Sequence, residues 1–202
     1  MNATGRPEWV VREDAGTTVI IALYLRQILG VRAPEALPHL RQAPAAPTPG
    51  DDEAALTLER QWLDYWEMTV EPQAHPATGP LELVDGFDGL AALPREGADE
   101  LRAAIAGSGP DAVAYARAAA ARYSAQLGPG AASYRAYAGA IAEHERRVGR
   151  RAHSFELNVQ VLPLTQRGIW WIGSLTIAVT DGLRSDVAAF DRAITPIIAE
   201  LA

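Results

Sequence analysis

Hydrophobic and polar positions change period along the chain, and each change marks an element. Over residues 17–29, Val19, Ala22, Leu23, Leu25 and Ile28 recur at helical spacing with Arg26 and Gln27 off the stripe, which predicts a helix stopped by Gly30. Its opening run Thr17-Thr18-Val19-Ile20-Ile21 is β-branched and is equally open to a strand reading. Pro34, Pro38, Pro44, Pro47 and Pro49 then interrupt any period. Each removes a backbone donor and restrains its predecessor, so residues 31–50 read as a proline-rich arm. Asp51 and Asp52 offer N-cap oxygens to a helix reaching Val70, along which Ala55, Leu58, Trp62, Tyr65 and Trp66 are spaced three or four apart. Glu71-Pro72 ends it. Beyond a loop, residues 81–84 form a short candidate strand before an Asp85-Gly86 turn.

Three helical stretches follow at 98–106, 111–126 and 131–149, separated by Gly107-Ser108-Gly109-Pro110 and Gly128-Pro129-Gly130. The stripes Val113, Ala116, Ala120, Tyr123, Leu127 and Tyr134, Tyr137, Ile141, His144, Val148 predict that the last two pack antiparallel as an αα-hairpin. Near Arg151 the period drops to two: Phe155, Leu157, Val159 and Val161 alternate with Ser154, Glu156, Asn158 and Gln160, the pattern of a half-buried strand. Residues 169–179 read as a second strand, the two forming a β-hairpin. Ser185 is placed to cap a final helix whose apolar face holds Val187, Phe190, Ile194, Ile197 and Leu201, kinked at Pro196. The fold class expected is α+β: about five helices, a C-terminal antiparallel β-hairpin and a final helix packed on the sheet. A strand at 81–84 or near the N-terminus would extend that sheet, and residues 1–202 are read as a single domain with a proline-rich arm at 31–50.

The ending from Leu157 to Ala202 runs from a strand through Leu162-Pro163-Leu164 and a second strand into a helix with Asp186, Phe190 and Pro196. It resembles uncharacterised actinobacterial proteins over about a quarter of the chain, a resemblance that implies no activity or cofactor. Composition agrees with such a source. All 18 basic residues are arginine, and the asparagines are Asn2 and Asn158, a usage expected of a GC-rich genome. Arginine enrichment is therefore not in itself a phosphate-binding signal.

With 49% hydrophobic and 21% charged residues the chain is of globular composition. The absence of cysteine excludes disulfides, thiolate metal sites and a cysteine nucleophile, and the absence of lysine excludes Schiff-base and P-loop chemistry. A net charge of −7 disfavours nucleic acid and anionic lipid as partners. The apolar runs at 19–25 and 168–179 are shorter than the roughly 20 residues that cross a bilayer, and residues 1–14 lack the form of a secretory signal, so a soluble cytoplasmic protein is expected. Asn2-Ala3-Thr4 matches a glycosylation triplet without an export signal to support it.

Candidate chemistry is sparse. His39, His75, His144 and His153 fit no metal-ligand spacing. Asp51, Asp52, Glu53, Glu82, Asp85 and Asp88 could supply an acid and a base, but caps and turns account for several of them. Ser174 follows Gly173 within the second strand rather than on a nucleophile elbow, and Gly107-Ser108-Gly109-Pro110 lacks the G-K-[ST] of a phosphate loop. No catalytic residue, metal site or cofactor is assigned. Arg146, Arg147, Arg150 and Arg151 suit a helix C-terminus, and together form a candidate site for a small anionic ligand. Trp62 and Trp66 share a helix, whereas the adjacent Trp170 and Trp171 must point to opposite faces of a sheet, leaving one indole at a surface unless both faces are covered. The leading expectation is a non-enzymatic protein acting through protein–protein contact or self-association as a homo-oligomer, using the arm and the Trp170 face. The alternative is a small-molecule binding protein or hydrolase-like enzyme. Its pocket would lie between the helix of Trp62 and Trp66 and the hairpin, with His144 and the nearby arginines at its mouth.

Overall fold

The computed structural model describes residues 8–48, 53–127 and 134–202. Among these residues the chain is α+β, with seven helices and two sheets. In chain order the elements are β1 (Trp9–Asp14), α1 (Thr17–Leu29), α2 (Glu53–Val70), β2 (Leu81–Leu83), β3 (Ala92–Pro94), α3 (Asp99–Ile105), α4 (Gly109–Leu127), α5 (Arg135–Val148), β4 (Phe155–Leu162), β5 (Ile169–Trp171), β6 (Thr176–Thr180), α6 (Asp181–Arg184) and α7 (Val187–Leu201). The larger sheet has the order β1-β4-β6-β5, with β1 and β6 both parallel to β4 and β5 antiparallel to β6.

Side-chain alternation along the strands divides the apolar residues between two layers. Leu157, Val159 and Val161 of β4 join Val11, Ile177 and Val179 in one core with Tyr137 and Ile141 of α5 and Phe190, Ile194 and Ile198 of α7. On the other face Leu162, Ala178 and Trp170 meet α1, α2, α3 and α4. Every residue of β6 is buried, as expected of a parallel strand covered on both sides. Burial of Ile20, Ile21 and Leu25 on α1 contributes about 2 kcal/mol each. Trp62 is likewise fully buried and donates its indole N–H to the Ala22 carbonyl at 3.0 Å, which locks α2 onto α1 without an unpaired polar atom.

Several sequence expectations change here. The antiparallel hairpin is the short β5–β6 pair, with Trp170 opposite Ala178, while β4 runs parallel to β6 with Val159 opposite Ile177. A period of two reports which side chains are inward and carries no information on strand direction. The candidate strand at 81–84 contributes β2, which pairs with β3 in a separate two-stranded sheet; the N-terminal extension is β1. Among the described residues α4 and α5 do not pack as the expected αα-hairpin: Val113, Ala116 and Ala119 of α4 belong to the α1 layer, Tyr123 near its end reaches the α5 layer, and α5 packs against α7. The final helix is capped by Asp186, which accepts the Ala189 N–H at 3.1 Å, and not by Ser185, which closes α6.

Arg26 and Gln27, expected off the apolar stripe, are buried as well. Arg26 donates to the carbonyls of Leu37, Arg32 and Pro34 at 2.7, 2.9 and 2.9 Å. Gln27 donates to Pro44 O at 2.6 Å and accepts from Leu40 N at 2.9 Å. Prolines bring carbonyl acceptors but no backbone N–H, and these two side chains supply donors that fasten the proline-rich segment, whose Val31, Leu37 and Leu40 are buried, to α1. The glycine that opens α4 has a steric reason: a Cβ on Gly109 would lie 2.5 Å from the Gly86 backbone, so the Gly-Ser-Gly-Pro run is a close backbone crossing. The proposed caps Asp51 and Asp52, the Gly128-Pro129-Gly130 turn and the Asn2 triplet lie outside the described residues.

Candidate functional site

The helix α2 buries Trp62, Tyr65 and Trp66 on one side and presents Asp64, Glu67 and Met68 on the other, a division set by its 3.6-residue period. Beyond Val70 the chain turns back on itself, with Ala74 N and His75 N both donating to Glu71 O at 3.0 and 2.9 Å. That turn, together with the segment between β3 and α3, leaves a cavity of about 560 Å³ beside the C-terminal half of α2. Met68, Pro76 and Ala98 give it apolar wall, and Asp64, Glu67, His75 and Glu96 give it polar rim. Its inner end is anchored by Gln61, which accepts Leu101 N–H at 2.8 Å and donates to Glu100, tying α2 to the start of α3.

Two further cavities adjoin it. One of about 330 Å³ lies between α2 and the β5–β6 turn, against Trp66, Ile172 and Ser174, and shares Glu67 and His75 with the first. Another, of about 500 Å³, is walled by Arg12, Glu156 and Asn158 of the sheet and by Glu71, Ser174 and Leu175. Two of the polar positions of β4, Glu156 and Asn158, thus line an open cleft, while Gln160 accepts Gly16 N–H at 3.0 Å.

Glu71 organises the boundary between these spaces. Its carboxylate accepts Leu175 N–H at 2.8 Å, Ser174 Oγ–H at 3.0 Å and Thr176 Oγ1–H at 3.3 Å. Partial burial opposes ionisation, but the hydrogen bonds prevail and hold the carboxyl below its ordinary range. Ser174 therefore donates a hydrogen bond to a weakly basic carboxylate, an arrangement that fixes a turn and does not activate a nucleophile. His75 Nδ1 lies 3.4 Å from Glu67. Tyr65 stands between the 560 Å³ cavity and a smaller one that Thr69 also lines, its hydroxyl sealed from solvent and without a hydrogen bond of good geometry. Burial pushes its pKa up to about 12, against a small opposing effect of Thr69.

The sequence candidates are distributed around the molecule. Trp62 is core, stacked on Trp66 with centroids 5.5 Å apart, and Trp66 borders the 330 Å³ cavity. A space between α2 and the hairpin is thus present, but His144 is not at its mouth: it is buried on α5, which packs with α7 in the opposite layer. Arg146, Arg147, Arg150 and Arg151 are exposed on that same side. Arg146 pairs with Glu143, Arg147 approaches His144 Nδ1 at 3.5 Å, and Arg150 reaches His153 Nε2 at 2.8 Å. Trp170 packs on the α1 layer, and Trp171 is the outward indole, 39% exposed on the edge strand.

Sequence reasoning missed a buried polar network at the end of β1. Arg184 Nε donates to both Glu13 oxygens at 2.9 and 2.8 Å, Tyr123 donates to Glu13 at 2.6 Å, and Tyr137 donates to its other oxygen. Burial and the adjacent carboxylate push both phenols upward, and Glu13 holds Arg184 charged despite its burial. All of Glu13's partners are internal, so the network fastens α4, α5 and α6 to the sheet. Among the described residues, no group of three or more histidine, aspartate or glutamate side chains is able to hold a metal ion, and no helix is long and apolar enough to cross a membrane. Compared with known proteins, the chain matches no family model, no curated protein and no solved structure.

Proposed function

We propose that the protein binds a small molecule in the cleft around the C-terminal half of α2. The observation that carries this reading is the concave space of about 560 Å³, which combines apolar wall with several polar side chains. Its volume falls within the range of small-ligand sites, and the adjoining cavity against Trp66 extends it toward the β5–β6 turn. The test is a fragment screen on the isotopically labelled full chain, read by amide chemical shifts. Hits are expected to move residues 61–68, 74–78 and 94–98 together, and Met68→Trp, which fills the space, should weaken them at least about tenfold (about 1.4 kcal/mol). Hits mapping only to other surfaces would sink the reading.

A second reading, contact between protein chains, is favoured by one observation. Trp171 is 39% exposed on β5, the edge strand, which pairs on one side only. Aromatic surface at an unpaired edge suits a second copy or a protein partner.

A further inference from the structure

We infer that the β5–β6 turn is a carboxylate-binding site whose place is taken in the free protein by Glu71, and that a small organic acid enters it by displacing that side chain. The donors come from three consecutive residues. Leu175 N–H and Thr176 Oγ1–H meet one Glu71 oxygen at 2.8 and 3.3 Å, and Ser174 Oγ–H meets the other at 3.0 Å. Thr176 is 1% exposed, whereas Ser174 and Leu175 are exposed, so the recess has a sealed inner end and a side open to solvent. Gly173 clears the space, since any side chain there would overlap the carboxyl.

The surroundings of Glu71 make it a replaceable occupant. All of its donors are neutral, and among the described residues no cation pairs with it: Arg12, in the wall of the 500 Å³ cavity, pairs with Glu156 at 2.8 Å instead. Withdrawing the carboxylate therefore leaves no unbalanced charge in the turn. It does leave the buried Thr176 hydroxyl without its acceptor, so the site stays closed until another acceptor arrives. Glu71 and Ser174 both border the 330 and the 500 Å³ cavities. Rotation of the Glu71 side chain thus vacates the recess into existing space without moving α2, and leaves the donors within reach of a molecule held beside them. Of the two cavities the larger suits an acid, because Arg12, Gln73 and Asn158 line it, whereas Glu67 in the smaller one repels an anion. Glu71 does not line the 560 Å³ cavity, and the inference is independent of what that space holds.

The test uses a deletion that acetate can fill, because Glu71→Ala removes the group of which acetate is the free form. Amide chemical shifts of the full chain are followed at an ionic strength held constant with chloride. Acetate is expected to saturate shifts of Ser174, Leu175 and Thr176 in Glu71→Ala and to raise the melting temperature of the variant toward that of wild type. Acetamide, methylammonium and phosphate should do neither. In wild type the tethered carboxylate competes at an effective concentration of roughly millimolar order or above, so acetate should move the same amides at least about tenfold more weakly. Should Glu71→Ala not fold in chloride, acetate should restore its folded spectrum. A variant indifferent to acetate, or one that responds equally to acetamide, would overturn the carboxylate site. Equal binding of phosphate would overturn the ligand class. Wild-type amides that stay fixed at acetate concentrations far above those saturating the variant would make Glu71 a permanent clasp and overturn the exchange.

Discussion

Glu13 and Tyr65 show what a buried polar group does with and without partners. The Glu13–Arg184 pair is almost fully enclosed, and the guanidinium also lies 4.7 Å from the centroid of the Phe190 ring. Removing one member of such a pair leaves the other charge buried and unbalanced, at a cost of about 3–5 kcal/mol. Glu13→Gln, which keeps the shape and deletes the charge, should therefore lower the urea unfolding free energy by about that amount, and an unchanged midpoint would show that the network is not structural. Tyr65 is the opposite case, since its unpaired hydroxyl costs about 1–3 kcal/mol that a phenylalanine would recover. Neither residue was visible as special in the sequence. Glu13's partners Tyr123, Tyr137 and Arg184 are 110, 124 and 171 residues away, and a contact over such a distance leaves no local pattern. Tyr65 was legible only as one more aromatic on a helical stripe.

Among the elements, the turn between β5 and β6 depends on a side chain from α2. A Cβ on Gly173 would stand 2.4 Å from the Glu71 carboxyl, so the turn closes around that group as tightly as backbone allows. Glu71→Ala should destabilise the fold by about 1–3 kcal/mol at neutral pH through loss of its charge-assisted hydrogen bonds. Because the folded pKa lies below the unfolded one, this contribution is present in full above the ordinary carboxyl range and is lost as the pH falls through the folded value. Denaturation curves of wild type and variant should keep a constant separation above about pH 5 and converge below about pH 4. A separation independent of pH would assign the effect to packing. The same turn explains why residues 169–179 read as one strand: Ile172 and Leu175 continue the apolar pattern, and the residue that breaks it lies a hundred positions earlier. Helices at 17–29 and 53–70 and the strand at 155–162 were legible because their periods are local. The layer to which α4 and α5 belong was not, because alanine-rich stripes fit either face of a sheet.

At the level of the whole molecule, the exposed indole of Trp171 makes the oligomeric state informative. If chains associate through the β5 edge, light scattering should report a dimer that Trp171→Ser returns to a monomer, whereas a wild-type monomer at all concentrations would exclude self-association by this surface. The cleft around α2 was only half legible at this scale. The sequence placed a space between the helix of Trp62 and Trp66 and the hairpin, and one exists, but it drew His144 and four arginines toward it from the opposite side of the sheet. Sequence proximity to β4 does not say on which face a helix lies.

The pairing of β1 with β4 bears on the order in which the molecule assembles. Trp9 meets Phe155 and Asp14 meets Gln160, so the first described strand finds its only neighbour in the sheet after nearly all of the helical residues between them have been made. Until β4 is made that strand has no partner in this sheet, and closing so long a span carries a loop-closure entropy cost. The residues of α1 to α4 are all made before β4, whereas β1 cannot take its place in the sheet that divides the two cores until β4 has been made.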